Sequence, residues 1–323
     1  MAENALRNVL VTGSNGFVGR HLISGLCEHG LYNVRGAVRQ VAGLSNSGID
    51  TVMVGDMDAH TGWKSALHNV DVVIHTAARV HVMDDNARDP LGEFREVNVR
   101  GTLNLAQQAA DNGVKRLIFI SSIKVNGEET SAGMPYTAGD TPAPEDPYGI
   151  SKLEAEQGLL AIAEETGIEV VIIRPPLVYG PGVKGNFSSL MKFVGKGMPL
   201  PLGAVHNKRS LVACTNLVDF IIRCIDHPSA ANQVFLVSDG EDLSTTELLK
   251  ALSTAAGRHP RLIPIPHALL NFGATVLGKK RIASRVLGSL QVDISKNSEL
   301  LDWVPKAKVE EELKRCFTFT KEN

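Results

Sequence analysis

No two cysteines in this chain stand at the spacing of a metal site or a redox motif. Cys27, Cys214, Cys224 and Cys316 are the only four, and they are scattered. That argues against a CxxC framework and makes a reducing compartment the expectation. An excess of charge is missing too. A formal net charge of −2 over 323 residues offers no clustered basic surface of the kind that nucleic acids require. Nor is there an apolar run of membrane-spanning length. The most lipid-like stretch, "HALLNFGATVLG" (267–278), falls short of the roughly 20 helical residues that cross a bilayer. It reads as a buried or interface helix, and the "KKR" that follows (279–281) allows at most a weak peripheral contact. The N-terminus, "MAENALRNVLVTG", has an early acid and no long apolar core, so it is not a secretory signal and a cytoplasmic location is expected. Repeats and low-complexity segments are absent.

What is there is an ordinary globular composition, 43% hydrophobic, with strong alternation in its first half. The stretches "NVLVT" (8–12), "NVRGAVR" (33–39), "DTVMVG" (50–55), "DVVIHTA" (71–77), "RLIFISS" (116–122) and "EVVIIRP" (169–175) are short and rich in Val and Ile. Amphipathic stretches such as 91–112 and 148–166 lie between them. Continuous apolar runs separated by helices indicate a parallel sheet covered on both faces, hence an α/β, Rossmann-like doubly wound fold. Beyond Pro175 the pattern breaks. "PPLVYGPGVKGNF" reads as loop, "QVFLVSD" (233–239) as a strand rejoining the sheet, and the remainder as helical. The expected division is a dinucleotide-binding domain over 1–178 and 208–240, with a smaller, discontinuous lobe over 179–207 and 241–323.

The first strand runs into "TGSNGFVG", placing Gly13, Gly16 and Gly19 at a strand–loop–helix junction. Such glycines permit a tight turn and close approach of backbone to a pyrophosphate, which the helix N-terminus then attracts. The residue reading the ribose should stand at the end of the second strand, about 20 residues on. Arg39 is there. It has two readings: a bidentate clamp for a 2′-phosphate, selecting NADP(H), or a solvated charge that leaves NAD(H). "GDM" (55–57) would flank the adenine, and "HTAA" (75–78) ends the fourth strand where the cofactor should lie. His75 reads as a local hydrogen-bonding residue rather than a proton carrier.

"DPYGISKLEAE" holds Tyr148 and Lys152, which at i and i+4 share one helix face. A cation beside a phenol favours the phenolate and should lower its pKa toward neutrality. Together with "TGSNGFVG", "HTAA", "NVRGTLNL", "SSIKVNG" and "RPPLVYGPG", this pair resembles the extended short-chain dehydrogenase/reductase superfamily and its nucleotide-sugar epimerase, dehydratase and reductase group. The resemblance runs over nearly the whole chain. It implies that Ser122 holds the reacting sugar oxygen, that Tyr148 exchanges its proton, and that Lys152 supports the tyrosine. It further implies cofactor contacts from Gly13, Asn15, Gly16, Phe17, Val18, Arg39, Asp56, Met57, Thr76, Ala77, Ala78, Asn98, Ser121, Tyr148, Lys152 and Pro175. Asn186 and Arg209 would join Ser122 in binding the substrate, Arg209 at its diphosphate. No metal is expected.

One local absence sharpens the chemistry. Members of the group that dehydrate sugars across C4–C6 carry an acidic pair after the strand-end residue, and here Ile123 and Lys124 occupy those positions. An alkyl group and an ammonium cannot serve as that acid and base, so 4,6-dehydration is excluded. Asn126 also replaces the tyrosine of the group's "VYG". Two redox reactions at C4 of a UDP-linked hexose or N-acetylhexosamine remain. Arg39 and "FISSIKVNGE" favour a 4-keto-6-deoxy-sugar reductase, for instance one forming UDP-N-acetylquinovosamine for a surface polysaccharide. The alternative is a 4-epimerase that keeps its NAD. More remote are a redox sensor of this fold, which would generally lack the tyrosine and lysine, and an oxidoreductase of lipid-like alcohols. The latter fits poorly with "NKRS" (207–210), Arg281 and Arg285, which suit a diphosphate. The resemblance also implies a homodimer joined through the helices at 91–112 and 148–166.

Overall fold

The computed structural model describes residues 6–40, 49–80, 89–131, 133–276, 278 and 280–322. Leu277, Lys279 and the side chains of Lys280 and Arg281, in the stretches named above, fall outside the described parts. The first half runs β1 (Arg7–Thr12), α1 (Phe17–His29), β2 (Tyr32–Val38), β3 (Asp50–Met53), β4 (Val72–His75), α2 (Pro90–Phe94), a π-helical segment Arg95–Gly101, α3 (Thr102–Asp111), β5 (Arg116–Ile120), α4 (Pro147–Thr166) and β6 (Glu169–Arg174). There follow β7 (Leu177–Tyr179), α5 (Gly185–Gly195), β8 (Arg209–Ala213), α6 (Cys214–Asp226), β9 (Gln233–Leu236), β10 (Asp242–Leu243), α7 (Thr245–Ala255), α8 (His267–Val276), α9 (Lys280–Leu287), α10 (Ser295–Leu301) and α11 (Val309–Glu322).

Seven strands pair in parallel in the order β3-β2-β1-β4-β5-β6-β9. Their unbroken apolar character follows from having two covered faces. Alternate residues of β1 divide between those faces. Val9 and Val11 join Leu22 and Leu26 of α1 and Phe220 of α6, whereas Leu10 joins Leu105 of α3 and Leu159 of α4. The strand order reverses between β1 and β4. In a sheet of this kind, the crevice at the carboxyl ends of the strands beside that reversal is where a ligand binds.

Three elements depart from the expectations. "PPLVYGPG" was expected to be loop, yet Leu177–Tyr179 forms β7, paired in parallel with β8, which pairs with β10 to make a second, three-stranded sheet. Its Gly and Pro neighbours mask a three-residue strand too short to register as a pattern. β8 therefore belongs to this small sheet rather than to the large one. The helical stretch at 91–112 is not uniform, because Arg95–Gly101 widens into a π-helix, a distortion that recurs at functional sites. Lastly, α8 buries none of its residues, so the buried reading of 267–278 does not hold. The lobe packs around Tyr179, Phe187, Met191, Leu211, Leu249, Leu252 and Leu313.

Candidate active site

The glycine loop has the form its spacing requires. Gly13 sits at φ +65°, and a Cβ there would come within 2.8 Å of the Ala77 backbone. One on Gly19 would lie 2.2 Å from the Gly13 carbonyl oxygen. Gly16 caps α1 with no side-chain hydrogen bond, and the first turn contains no acid. The leading N–H groups, those of Phe17 and Val18 among them, thus have no intrahelical acceptor and face outward beside the exposed Asn15. This cradle, closed to side chains and rich in donors, fits the pyrophosphate of a dinucleotide. Across it, the Thr76 hydroxyl donates to the Thr12 carbonyl at 2.7 Å and the Ala77 N–H to the Thr12 hydroxyl at 3.4 Å. These bonds hold the β4 loop, with the half-buried Ala78, against the glycines.

At the adenosine end, Arg39 is 77% exposed and its guanidinium stands 3.8 Å from the Asp56 carboxylate. Met57 is buried, so close to the π-helix that a Cβ on Gly101 would strike it. His75 is fully buried between the Thr12 and Thr102 hydroxyls, at 2.6 and 3.0 Å. Burial, helped by the Lys152 charge, pushes its pKa down to about 3. It is a neutral hydrogen-bonding residue. Within the π-helix, Asn98 donates to the Arg79 carbonyl and the Ser151 hydroxyl, both at 3.0 Å, and accepts from the Arg79 N–H at 2.8 Å. It thereby ties the loop after β4 to α4 one residue before Lys152.

Asp146 caps α4 by accepting from the Gly149 N–H, and Pro147 takes the first helical position. Tyr148 is half-buried in the first turn, edge-on to Phe94. One turn on, Lys152 is buried, donates to the Ile120 carbonyl at 2.8 Å and lies 4.3 Å from the Phe119 ring centroid and 5.9 Å from that of Tyr148. The two side chains do share a face, but the electrostatics differ from the expectation. Burial pushes the Tyr148 pKa above the ordinary phenol value, and the Asp146 carboxylate adds to the rise. Burial likewise pushes Lys152 down to about 7, against the pull of Glu156. Desolvation outweighs the mutual effect of phenol and amine. Ser122, half-buried two residues beyond β5, accepts from the Lys124 N–H at 3.3 Å. Pro175, just past β6, accepts from the Ile123 N–H at 3.0 Å. Lys124 pairs with both Asp146 and Glu128, so the position of a dehydratase acid is filled by a cation clamped to the helix that carries Tyr148.

Beneath these residues lies a network that the motifs did not disclose. Glu156 and Arg174 form an ion pair of 2.5 Å with both side chains almost wholly buried. Ser121 donates to Glu156 through its hydroxyl, and Arg174 donates to the Asn126 side-chain oxygen at 3.0 Å. Asn126 in turn donates to the Thr137 carbonyl at 3.0 Å. Asn126, which stands where the group has a tyrosine, is thus a structural partner of Arg174. The signal in the sequence was the Glu one turn beyond Lys152 and the Arg closing an apolar strand. Neither position is one where a charge is ordinarily buried without a partner.

Other expected residues stand further out. Asn186 is exposed in the first turn of α5. Arg209 begins β8 and donates to the Gly288 carbonyl at 2.9 Å. Burial lowers its pKa, Glu129 and Glu128 oppose that, and Arg285 adds to it. Four charges therefore gather at one mouth of the cleft.

A glycine cradle at the switch point of a Rossmann sheet, with a tyrosine, a lysine and a serine beyond the carboxyl ends of its strands, is the arrangement of a dinucleotide-dependent enzyme. The chain belongs to the NAD dependent epimerase/dehydratase family, which its residues 9–238 match. It is 51% identical to a UDP-glucose 4-epimerase of Vibrio cholerae over 310 residues, 96% of this chain and 94% of that one. A second relative, 28% identical over 86% of this chain and 83% of its own length, is the N-acetyl-alpha-D-glucosaminyl-diphospho-ditrans,octacis-undecaprenol 4-epimerase of Escherichia coli O157:H7. The fold is shared with the UDP-glucuronic acid 4-epimerase of Bacillus cereus in complex with NAD, with a TM-score of 0.78, 22% identity and coverage of 98% and 99% of the two chains.

Two stability measurements follow from the buried charges. Arg174→Met leaves Glu156 uncompensated and should cost about 3–5 kcal/mol in urea unfolding, much of it recovered in Arg174→Met/Glu156→Leu. An equal loss in the double variant would contradict the network. For Lys152, the unfolded chain keeps its proton up to pH 10.5, whereas the folded chain releases it near 7. Unfolded protein then binds more protons between these values, so the stability of nucleotide-stripped protein should rise with pH across that window. The wild-type minus Lys152→Met difference in unfolding free energy isolates the effect, and a flat difference would refute it.

Proposed function

We propose that the protein is a UDP-sugar 4-epimerase. What carries this reading is the 51% identity with a UDP-glucose 4-epimerase over nearly both whole chains, joined to Ser122, Tyr148 and Lys152 at one sheet edge. NAD, when bound in the glycine cradle, would supply the acceptor and later the donor of the hydride at C4. The chain's residues manage the oxygen and its proton. Ser122 would hold the C4 oxygen by a hydrogen bond, and Tyr148 would take its proton as the carbonyl forms; once the 4-keto sugar has turned its other face to the hydride, Tyr148 would return the proton to that oxygen. Lys152, poised near neutrality, is the group whose charge would favour the phenolate at that moment. Arg209 would take the diphosphate.

The reductase reading loses its main support. Arg39 is exposed and its near neighbour is the Asp56 carboxylate, which would repel a 2′-phosphate and suits a 2′-hydroxyl. Ile123 and Lys124 remain consistent with redox chemistry without elimination. A homodimer through the helical stretch 91–112 and α4, which the Arg95–Glu154 pair joins, is part of the proposal.

Incubation with UDP-glucose or UDP-N-acetylglucosamine, without added reductant, should yield the 4-epimer with no net change in cofactor redox state. Tyr148→Phe should lower kcat by about 10²–10⁴-fold with little change in KM and with the dinucleotide still bound. Turnover of a 4-keto sugar with stoichiometric consumption of NADPH, and no epimerisation, would replace this reading with the reductase.

A further inference from the structure

The lobe carries a surface that the chemistry at C4 does not use. From residue 248 to residue 292, 45 residues in all, the sequence has seven lysines and arginines and not one aspartate or glutamate. α8 lies in the middle of this stretch and is apolar on two faces. Leu270 and Ala274 pack inward, toward Val205, Ala283 and Leu287. Leu269, Phe272 and Val276 point the other way and are 61%, 69% and 69% exposed. At 3.6 residues per turn these three fall within about 60° of one another, a single stripe. Ile263, on the approach to the helix, is 50% exposed. Lys279, Lys280 and Arg281 follow directly in the sequence.

Two features decide what such a stripe would meet. A soluble chain rarely leaves three large apolar side chains together on one helix face. A protein partner would also be met by charges of both signs, whereas the sequence on either side of α8, from 248 to 292, carries one sign only. Apolar residues in the plane of the surface with cations beside them are the pattern of a helix lying in a bilayer interface.

We propose that α8, with the basic residues around it, docks the protein on an anionic lipid surface. Leu269, Phe272 and Val276 enter the boundary between headgroups and acyl chains, and cations of the same stretch, the exposed Arg258 and Arg261 among them, meet the lipid phosphates. α9 leads from this surface back to the cleft, where its Arg285 acts on both Asp146 and Arg209. The docked element is thus joined to the mouth that would receive the substrate's diphosphate.

The experiment is co-sedimentation of the full chain with vesicles of phosphatidylglycerol and phosphatidylcholine, and with phosphatidylcholine alone, at low and high salt. Sedimentation with the anionic vesicles is expected, weakened by salt and slight with phosphatidylcholine alone. Leu269→Ser/Phe272→Ser should lower the partition coefficient about tenfold or more and leave turnover of a soluble UDP-sugar unchanged. No sedimentation with anionic vesicles, or sedimentation that the double variant does not reduce, would overturn the proposal. A dimer seen by light scattering that this variant splits, without vesicle binding, would assign the face to a second copy and overturn it equally. Vesicle binding without any UDP-sugar turnover would instead refute the proposed activity and leave the docking in place.

Discussion

The active site depends on one buried ion pair. Glu156 of α4 and Arg174 of β6 are each removed from water, a position that neither charge could hold alone. Every remaining polar atom that the pair presents to Ser121 and Asn126 is bonded, so the network is complete rather than half-satisfied. Its geometric effect is to bring three chain segments to one point. Ser121 precedes Ser122, Arg174 precedes Pro175, and Glu156 lies one turn beyond Lys152. Ser122, Lys152 and Pro175, three residues of the candidate site, are therefore set by a single electrostatic lock behind them.

That lock also accounts for Asn126. In the sequence it stands only as the replacement of a tyrosine of the group. In the structure the asparagine accepts from Arg174 and donates to the Thr137 carbonyl, a role in positioning. On the other side of Ser122, Lys124 reaches across to Asp146 at the cap of α4. Two polar ties, one buried and one at the cleft, thus join the end of β5 to the helix of Tyr148.

Much of the fold was legible in the sequence because a parallel sheet buried on both faces leaves runs rich in Val and Ile, and each of its seven strands overlaps such a segment, β1 and β2 starting one residue earlier. The glycine cradle and the Tyr148–Lys152 face were legible for a similar reason, since each is a local pattern with a fixed spacing. What escaped notice was long-range or too short. β7 is three residues among glycines and prolines, and its pairing with β8 bridges residues more than thirty positions apart. The partnership of Glu156 and Arg174 lies in the tertiary contact of a helix with a strand end, which no spacing encodes. The direction of the tyrosine shift was missed because burial, a property of the whole fold, outweighs the neighbouring amine. The sequence of α8 left a buried and an interface reading open, and which face is covered depends on how the lobe packs: Leu270 and Ala274 face it, and no residue of the helix is buried.

An enzyme that oxidises and then reduces the same carbon has no need to exchange its dinucleotide, and the exposed Arg39 beside Asp56 gives no special hold on a 2′-phosphate. The most direct test is to denature the purified protein and identify the nucleotide it releases. The account predicts NAD in near-stoichiometric amount, with the stripped protein rebinding NADH in preference to NADPH and Arg39→Ala leaving that preference unchanged. An empty site that prefers NADPH, with the preference lost in Arg39→Ala, would contradict it.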